Sequence, residues 1–328
     1  MTGLEKEISN EYNIEIKSIL PYRDGFLIGT SSTKRLFKRL PVSKSRIMFI
    51  HSAKEHLIGN GFTNIDRYYC TMDNLPYFNF NNTYYVMSDF IQGSEFNFER
   101  AEDIIKASKA LAYMHKASKG YNALRDCTPR DDLGKTPVLF KKRMDEIKRL
   151  TKIAKKSKNH FDYLFLDNYE YFYRLAGEVI NEIASSNYSI IVEKCRNESS
   201  FCHHDFTHNN ILHSDGKVFI TNFDFCTLEL KIYDIANLIR RKMRKCAWNL
   251  REAKIALDTY RTIESIDDNE FYVLKLMLKF PQKFWRVANR HYNSKRSLSD
   301  KNYMASLIDV INEKECHSKF ISGFDSLK

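Results

Sequence analysis

The sequence predicts an α+β protein with a small antiparallel β lobe that contains one helix, followed by a larger, mainly α-helical lobe. Three observations lead to this prediction. Short β-like runs separated by turn residues fill the first ninety residues, helical periodicity dominates after Gln92-Gly93, and one β-like island interrupts the helices. We therefore predict two domains, at residues 1–90 and 91–328, with a polar loop at 202–225 in the second domain.

The first lobe contains six β-like runs and one helical segment. The strands are predicted at 15–22, 26–30, 35–40, 65–71, 77–80 and 84–90. Between the third and fourth strands, Ser43 or Ser45 is placed to cap a helix that Gly59 or Gly61 ends. This order predicts a five- or six-stranded antiparallel sheet with one inserted helix.

The second lobe is read as six helices and a hairpin. The helices are predicted at 101–117, 136–158, 169–185, 232–246, 250–263 and 271–284. The hairpin lies between the third and fourth helices, where the turn Ser214-Asp215-Gly216 joins strands at 211–212 and 217–222. A β lobe, a helical lobe and a polar hairpin at their junction are typical of a two-lobed, protein kinase-like architecture.

Composition agrees with a folded globular protein. Of 328 residues 43% are hydrophobic, and the 11 Gly and 6 Pro leave little material for long linkers. The acidic, polar N-terminus does not resemble a signal peptide, and no apolar run approaches the ~20 residues that span a membrane. Seven scattered cysteines without a C-x-x-C pair predict reduced thiols of a cytosolic protein rather than a disulfide scaffold or a zinc site. We expect no association with a membrane.

A basic helix carries part of the net charge of +11. The stretch from Lys141 to Lys158, KKRMDEIKRLTKIAKKSK, spaces Met144, Ile147 and Leu150 as one helical face. The plain interpretation is a solvated face of an amphipathic helix; the alternative is a docking surface for an acidic partner, an anionic substrate or a polyanionic matrix. No base-stacking module accompanies the charge, so nucleic acid is not an expected partner.

The stretch FCHHDFTHNNILHSDGKVFITNFDFC, from Phe201 to Cys226, carries the predicted chemistry. Phosphoryl transfer needs a base that orients the acceptor, ligands for a divalent metal and a cation on the nucleotide phosphates. Asp205 is the candidate catalytic base, and Asn210 is a candidate metal ligand through its amide oxygen. The H-x-D-x(4)-N spacing, followed by a hairpin that bears a second acid, predicts a kinase-type loop rather than a structural loop that only resembles one.

The phosphate cation is predicted to be Lys38, in LFKRL on the third strand. Its rivals are Lys34, Arg35 and Arg39, and an exposed strand lysine is the plain interpretation. A helix carboxylate should pair with this lysine, and we predict Glu55 for that role, against the alternative of an exposed helix residue. Together these residues predict ATP and Mg²⁺ as cofactors.

Two further polar residues are predicted to support the loop. His203 should organise the loop backbone; a zinc site made with His204 and His208 is the alternative, but their spacing lacks a typical zinc-ligand arrangement. Asp234, near the start of a helix, should either cap that helix or accept backbone donors from the loop.

Several of these segments resemble one known family. CHHDFTHNNIL, VFITNFDFC and YDIANLIRRKMRKCAW resemble the spore coat protein CotS family, within the group of aminoglycoside phosphotransferase and choline kinase-like proteins. YYVMSDFIQGSEFNF, ALAYMHKASKGY and KFPQKFWRVANRHYN resemble the hinge, a central helix and the C-terminal helix of that family. The resemblance extends from about residue 15 to the C-terminus.

The resemblance implies a two-lobed kinase-like fold, a place in the spore coat after synthesis in the mother-cell cytoplasm, and other spore coat proteins as partners. It places the family's catalytic aspartate on Asp205, its loop asparagine on Asn210 and its strand lysine on Lys38. The acidic pair of the family's I-D-F-D segment falls on Asn222 and Asp224.

Asn222 departs from the family pattern, because an acid normally holds the metal at that position. An amide oxygen can ligate Mg²⁺ but brings no negative charge. Three outcomes stay open: Asp224 ligates the metal, Asn222 ligates it weakly, or metal-dependent transfer is lost. The sequence also lacks a G-x-G-x-x-G loop. We therefore expect a coat protein that acts in coat assembly with weak or lost phosphotransferase activity, the alternative being an active ATP- and Mg²⁺-dependent phosphotransferase on a small hydroxylated molecule or a coat protein.

Overall fold

The computed structural model describes residues 3–124, 126–157, 159–293 and 300–328. The chain divides into two compact units. Unit 1 consists of residues 1–131 and 198–228, and unit 2 consists of residues 132–197 and 229–328. The lobe boundary predicted at residue 90 does not coincide with this division into units, and it stays a prediction.

Unit 1 contains a six-stranded antiparallel sheet. Its strands are β1 (Ser18–Tyr22), β2 (Gly25–Gly29), β3 (Lys34–Arg39), β4 (Tyr68–Tyr69), β5 (Phe78–Phe80) and β6 (Thr83–Asp89). Their order in the sheet is β1-β2-β3-β6-β4, with β5 paired to β6. This agrees with the predicted sheet, although the fourth strand is only two residues long.

One face of this sheet is covered by a helix that the sequence interpretation missed, α1 (Gly3–Tyr12). Its residues Ile8 and Tyr12 pack with Ile28, Phe37 and other apolar side chains of the sheet. The helix was missed because its sequence, GLEKEISNEY, is mostly polar and shows too few apolar residues for a periodic pattern.

Two more helices belong to unit 1, α2 (Lys44–Gly59) and α3 (Ala101–Ser118). Ser43 caps α2 as predicted: its hydroxyl accepts a hydrogen bond from the backbone N–H of Arg46 at 3.3 Å. Beyond its end, Gly61 has φ +84°, a conformation that glycine adopts without strain.

The predicted hairpin forms part of a second, three-stranded sheet in unit 1. Its strands are β7 (Ser94–Glu95), β8 (Ile211–Ser214) and β9 (Lys217–Ile220), in that order. Both turn residues between β8 and β9 have positive φ, 48° at Asp215 and 74° at Gly216, which matches the right-handed twist of the strands. The hairpin thereby brings the polar residues before β8 next to those after β9.

The regular elements of unit 2, among its described residues, are helices. Its helices are α4 (Thr136–Ser157), α5 (His160–Ala184), α6 (Tyr188–Glu198), α7 (Ile232–Met243), α8 (Leu250–Arg261), α9 (Asp268–Lys279), α10 (Gln282–Asn293), α11 (Asp300–Asn312) and α12 (Lys314–Gly323). One cluster of its buried side chains joins α4, α5, α10 and α11 through Ile147, Phe165, Phe284 and Leu307.

Several predicted helix bounds need correction. Helix α5 begins nine residues before the predicted start, because Asn159 and Asp162 form a capping box in which each side chain accepts the other's backbone N–H. The segment predicted as one helix at 271–284 is two helices, since Pro281 lacks an N–H and forces an extended backbone, ψ 131°, on Phe280. Helices α6, α11 and α12 were not predicted.

None of the described helices combines the length and the hydropathy that crossing a bilayer requires. All seven cysteines are free.

Candidate active site

The predicted loop in unit 1 is held from below by His203, which is completely buried. Its Nδ1 accepts the backbone N–H of Asp205 at 3.3 Å, and its Nε2 lies 3.0 Å from the carbonyl oxygen of Thr221. These contacts assign the proton to Nε2, which donates to Thr221. Since both ring nitrogens have partners, His203 is not available as a zinc ligand.

Asn210 connects the two ends of the hairpin. Its amide nitrogen donates to the backbone oxygen of Asp205 at 2.9 Å and to Oδ2 of the same residue at 3.0 Å. Its backbone oxygen accepts the N–H of Thr221 at 2.8 Å. The Asp205 carboxylate is therefore oriented through Oδ2, and the spacing of five residues between Asp205 and Asn210 is what allows this contact.

Asn222 follows β9 in the left-handed conformation, with φ 65° and ψ 60°. Asparagine tolerates this conformation better than most residues. The strand therefore does not continue through Asn222, and a 3₁₀ turn follows at Phe223–Phe225. The left-handed residue and the turn together direct the side chains of Asn222 and Asp224 to the same place.

That place is the ammonium group of Lys38 on β3. Its Nζ donates to Oδ1 of Asn222 at 2.9 Å and to Oδ2 of Asp224 at 2.7 Å. Lys38 is only 6% exposed. A strand lysine that is exposed, the plain interpretation, is therefore wrong for Lys38, and the rivals Lys34 and Arg39 are the exposed ones.

The site contains a second buried ion pair, which was not predicted from the sequence. Lys54 of α2 is fully buried, and its Nζ contacts the backbone oxygen of Asp66 at 2.6 Å and its Oδ1 at 3.0 Å. The other carboxylate oxygen of Asp66 accepts the backbone N–H of Asn222 at 3.1 Å. Lys54 thus fixes Asp66, which in turn fixes the left-handed turn at Asn222.

The predicted pair of Lys38 with Glu55 is wrong. In the described structure, Glu55 pairs with Arg67, whose Nε lies 2.8 Å from its Oε1. The reason is the helical rotation of about 100° per residue: Lys54 points into the interior, so Glu55 points toward the rim. Whether Glu55 takes part in binding a cofactor stays a prediction.

The sequence contains a signal for Lys54 that the interpretation overlooked. Ile47, Ile50 and Leu57 are completely buried and recur at helical spacing, and position 54 lies on the same stripe. A lysine on an apolar stripe needs a buried acidic partner, because an unpaired buried charge is costly. Asp66, in TNIDRYY, is that partner, but its position was predicted as an ordinary strand residue.

The backbone of Asp224 is anchored as well. Arg46 of α2 donates through Nη2 to the carbonyl oxygen of Asp224 at 2.9 Å and also to that of Cys226. The second carboxylate oxygen of Asp224, Oδ1, is buried and has no hydrogen-bond partner among the described residues. A buried carboxylate oxygen without a donor is suited to accept a cation.

A cleft of about 670 Å³ opens beside these residues within unit 1. Lys38, Asn210 and Asn222 form its polar end. Apolar walls come from β3, from the segment after β6 and from β8: Leu36, Phe90, Ile91 and Leu212. The contrast between one polar end and apolar walls is typical of a site for a small ligand.

Burial controls the electrostatics of the site. Burial lowers the pKa of the Lys54 amine, although the Asp66 carboxylate counteracts this effect. Burial likewise raises the pKa of Asp89 on the wall of the cleft, which receives hydrogen bonds from Arg35 and Tyr69 at 2.8 and 2.7 Å. A compact set of two lysines and two aspartates, with all four side chains largely buried, thus surrounds Asn222.

The oxygen atoms present fit a hard divalent cation such as Mg²⁺. Asp224 offers a carboxylate oxygen without a donor, and Asn222 and Asn210 offer amide oxygens. The Asn222 oxygen already accepts from Lys38, and the Asn210 oxygen accepts from Asn222 Nδ2 at 3.4 Å. The fit is therefore weaker than that of a site with two free carboxylates.

Asp234 lies in unit 2, in the first turn of α7, and is completely buried. A negative charge is favourable in the first turn of a helix. The residue at the cap position is Lys231, so Asp234 is not itself the N-cap. Its predicted contact with the loop stays a prediction.

Comparisons with family models and with known proteins give concordant matches. The family model described as "Spore coat putative kinase YutH" matches residues 5–324. Spore coat protein S of Bacillus subtilis (strain 168) is 23% identical over 318 residues, which cover 96% of this chain and 90% of that protein.

Several solved structures have a similar fold. An aminoglycoside phosphotransferase from Alicyclobacillus acidocaldarius superposes with a TM-score of 0.86 at 20% identity, covering 98% of this chain and 95% of the other. Spectinomycin phosphotransferase, solved with ADP and spectinomycin, gives 0.68 at 14% identity, covering 98% and 97%. Amicoumacin kinase, solved with AMP-PNP and Ca²⁺, gives 0.65 at 12% identity, covering 99% and 96%. These likenesses confirm the predicted kinase-like α+β fold.

Proposed function

Because the chain belongs to the spore coat YutH family, whose model matches nearly its whole length, we propose that it is a kinase-fold coat protein that acts in coat assembly. This membership confirms the resemblance to the CotS family. We further propose that its cleft binds ATP and that phosphotransfer is weak. The observation that carries the second proposal is the contact of Lys38 with both Asn222 and Asp224.

Nucleotide binding is supported by the parts that are retained. Lys38 lines the polar end of the cleft, where its ammonium group can exchange Asn222 and Asp224 for phosphate oxygens. The apolar walls, Leu36, Phe90 and Leu212, can enclose a nucleobase. Relatives of the same fold are bound to ADP and AMP-PNP in their structures, which agrees with this assignment.

Weak transfer follows from Asn222. Asp224, Asn222 and Asn210 would hold Mg²⁺, which would supply positive charge to offset the negative charge of the nucleotide phosphates. Replacing a carboxylate by an amide removes one negative charge from this set, so the affinity for the cation falls. Asp205, whose Oδ2 is fixed by Asn210, would accept the acceptor's proton at Oδ1.

Partners and location follow from the family rather than from the cleft. We propose that the protein is made in the mother-cell cytoplasm and associates with other coat proteins. The outer face of α4 supplies a surface for an anionic partner or matrix, because Lys141, Lys148, Lys152 and Lys155 are exposed on it while Ile147 and its neighbours are buried. Lys158 lies outside the described residues.

Binding of ATP to purified protein tests the proposed cleft. Calorimetry should detect binding by the wild type and its loss in Lys38→Met. Lys34→Met is the matched control, since it removes an exposed lysine from the same strand. Equal affinity of both variants for ATP would overturn the assignment of the cleft.

The coat role needs a separate experiment in a sporulating, endospore-forming host. A fluorescent fusion should accumulate on the forming spore, and the Lys38→Met fusion should do so as well if assembly does not need the nucleotide. Fluorescence that stays diffuse in the mother cell would contradict the coat role without bearing on nucleotide binding.

An active phosphotransferase on a small hydroxylated molecule or a coat protein is the second candidate. The contacts among Asp205, Asn210, Asn222 and Lys38 favour it, because the constellation is complete except for one carboxylate. In that case Asp205→Ala should reduce transfer by about 10²–10⁴-fold, while exposed Asp73→Ala should not change it. Unchanged turnover in Asp205→Ala would eliminate this candidate.

A further inference from the structure

Unit 2 contains a small cavity, partly open to solvent, that three arginines from three different helices line. Arg143 comes from α4, Arg240 from α7 and Arg286 from α10. No aspartate or glutamate lines this cavity in the part of the chain that the structure describes. The cavity is therefore a concave site with a concentrated positive charge.

The hydrogen-bond partners of two of these arginines are uncharged. Arg143 donates to Oε1 of Gln282 at 2.9 Å and lies 4.7 Å from the centre of the Trp285 ring. Arg240 donates to Oδ1 of Asn237 at 2.9 Å and to the carbonyl oxygen of Met277 at 2.7 Å. None of these hydrogen bonds neutralises a positive charge; the Glu146 carboxylate, whose charge acts to raise the pKa of Arg143, accepts a hydrogen bond from Nε1 of Trp285.

Donor capacity is left over as well. Among the described residues, the buried Nε atom of Arg240 has no hydrogen-bond partner, and the same holds for Nε of Arg244, which follows α7 and lies outside the cavity lining. Arg286 has no carboxylate partner among the described residues; its charged neighbours are Arg241, Arg244 and Arg290. Buried charged groups are normally paired, so this arrangement calls for a missing anion.

The electrostatic consequence is visible in the pKa values. Burial lowers the pKa of Arg240, and the neighbouring guanidinium groups of Arg244, Arg286 and Arg143 lower it further. Burial and neighbouring arginines lower the pKa of Arg286 in the same way. Each guanidinium therefore makes the presence of the others less favourable.

The helix dipole accounts for only part of the cluster. Arg240 lies in the last turn of α7, where a positive charge is favourable. Arg143 and Arg286 lie within the first eight residues of α4 and of α10, so the carboxyl-terminal dipole does not explain them. Packing does not explain them either, since an uncharged long side chain would fill the same space without repulsion.

We propose that this cavity binds a compact oxyanion, the phosphate or carboxylate group of a small ligand. A planar guanidinium offers paired N–H donors that match two oxygens of such a group, and three guanidiniums from three helices can surround it. Gln282, Asn237 and Tyr233 add polar groups at the lining. The site lies wholly in unit 2 and does not depend on the proposed nucleotide cleft of unit 1.

Titration calorimetry on the full chain tests this site, with inorganic phosphate and citrate as probes and sodium chloride at matched ionic strength as reference. At least one probe should bind the wild type with a dissociation constant below about 10 mM. Arg286→Gln should raise that dissociation constant by about tenfold or more. Arg290→Gln is the matched control, because it removes a charge from an exposed site one turn along the same helix. It should bind as the wild type does.

The outcomes separate the ligand and the location. Binding of phosphate alone indicates a phosphate ester as the natural ligand, and binding of citrate alone indicates a carboxylate; binding of neither overturns the proposal. The Lys38→Met variant, altered in the other unit, should retain anion binding. Loss of binding in Lys38→Met without loss in Arg286→Gln would place the anion in the nucleotide cleft instead.

Thermal unfolding adds a second readout: phosphate or citrate should raise Tm for the wild type and not for Arg286→Gln. In anion-free buffer Arg286→Gln should be at least as stable as the wild type; a loss of stability there, with an unchanged response to anions, would assign Arg286 a purely structural role.

Discussion

The ammonium group of Lys38 lies 2.7 Å from Oδ2 of Asp224, and both side chains are largely buried. Lys38 belongs to β3 and Asp224 to the turn after β9, 186 residues later in the chain. This ion pair closes the sheet onto the hairpin and puts a carboxylate beside the position that Asn222 fills. A nucleotide bound in the proposed cleft would compete with Asp224 for Lys38.

Removing the lysine should destabilise unit 1. Lys38→Met leaves the Asp224 carboxylate buried and without its cation, so we expect a loss of about 3 kcal/mol in the free energy of unfolding. Urea denaturation measures this quantity. Lys34→Met, at the exposed start of the same strand, should change it by less than about 0.5 kcal/mol. Similar small changes for both variants would show that the pair is not formed in solution.

The two neighbouring residues Lys54 and Glu55 should behave very differently. Lys54→Met removes the partner of Asp66 and should cost about 3 kcal/mol of unfolding free energy, because the pair is buried. It should also weaken ATP binding, since Asp66 holds the backbone of Asn222. Glu55→Gln breaks only a half-exposed pair with Arg67 and should cost at most about 1 kcal/mol. Denaturation of both variants measures these losses. A larger loss of unfolding free energy for Glu55→Gln than for Lys54→Met would contradict the assignment of Lys54 as the buried partner of Asp66.

The lack of a side chain at Gly25 should be necessary for β2 to pack against Lys38 on β3. A Cβ atom built on Gly25 would lie 2.5 Å from the carbonyl oxygen of Phe37 and 2.9 Å from Cβ of Lys38. We expect Gly25→Ala to lower the free energy of unfolding by about 1–3 kcal/mol and to weaken ATP binding, because the added methyl group pushes β2 away from β3. Gly59→Ala is the control: nothing lies within 4 Å of its Cβ position, and the residue is helical. If Gly25→Ala matched this control in both measurements, the close approach would be unimportant.

The pair of Asp103 and His213 should give the stability of unit 1 a defined dependence on pH. Burial acts to raise the pKa of Asp103, but hydrogen bonds from the Asn97 N–H and from His213, at 2.8 and 2.9 Å, outweigh it and lower the pKa overall. A folded-state pKa below the unfolded value of about 4 gives stability that is complete above pH 4 and is lost as the pH falls through the folded pKa.

The variant Asp103→Asn makes this measurable. It should be about 1–2 kcal/mol less stable than the wild type at neutral pH, and this difference should shrink below pH ~4. Exposed Asp73→Asn should differ little from the wild type at any pH. A difference for Asp103→Asn that stays constant into the acid range would contradict the assigned hydrogen bonds.

The sequence predicts the larger features of this fold well, because they rest on periodicity and on turn chemistry. Ser43 at the start of α2 and the turn Asp215-Gly216 are examples: the capping hydroxyl and the residues with positive φ are local requirements that a few letters express. Helix α1 was not predictable in this way, since its few apolar residues become a buried face only when the sheet is present.

The site shows the same division. The spacing of Asp205 and Asn210 predicted that both belong to one polar loop, and the structure adds a contact between their side chains at 3.0 Å. The partner of Lys38 was mispredicted because it depends on contacts far apart in the chain. A difference of one position along α2 decides that Lys54, and not Glu55, points into the interior. The acid that contacts Lys38 is Asp224, which is placed by the left-handed turn at Asn222.

Asn222 should weaken this site because it supplies an amide where a carboxylate would bind the metal. Calorimetry of ATP binding in the presence and absence of Mg²⁺ tests this most directly. Asn222→Asp should restore a carboxylate ligand and tighten Mg²⁺-dependent ATP binding by about tenfold. Asn82→Asp, the same change at an exposed turn residue that is also left-handed, should bind as the wild type does. Equal Mg²⁺-dependent affinities for the wild type and Asn222→Asp would contradict the claim that Asn222 is what weakens this kinase-type site.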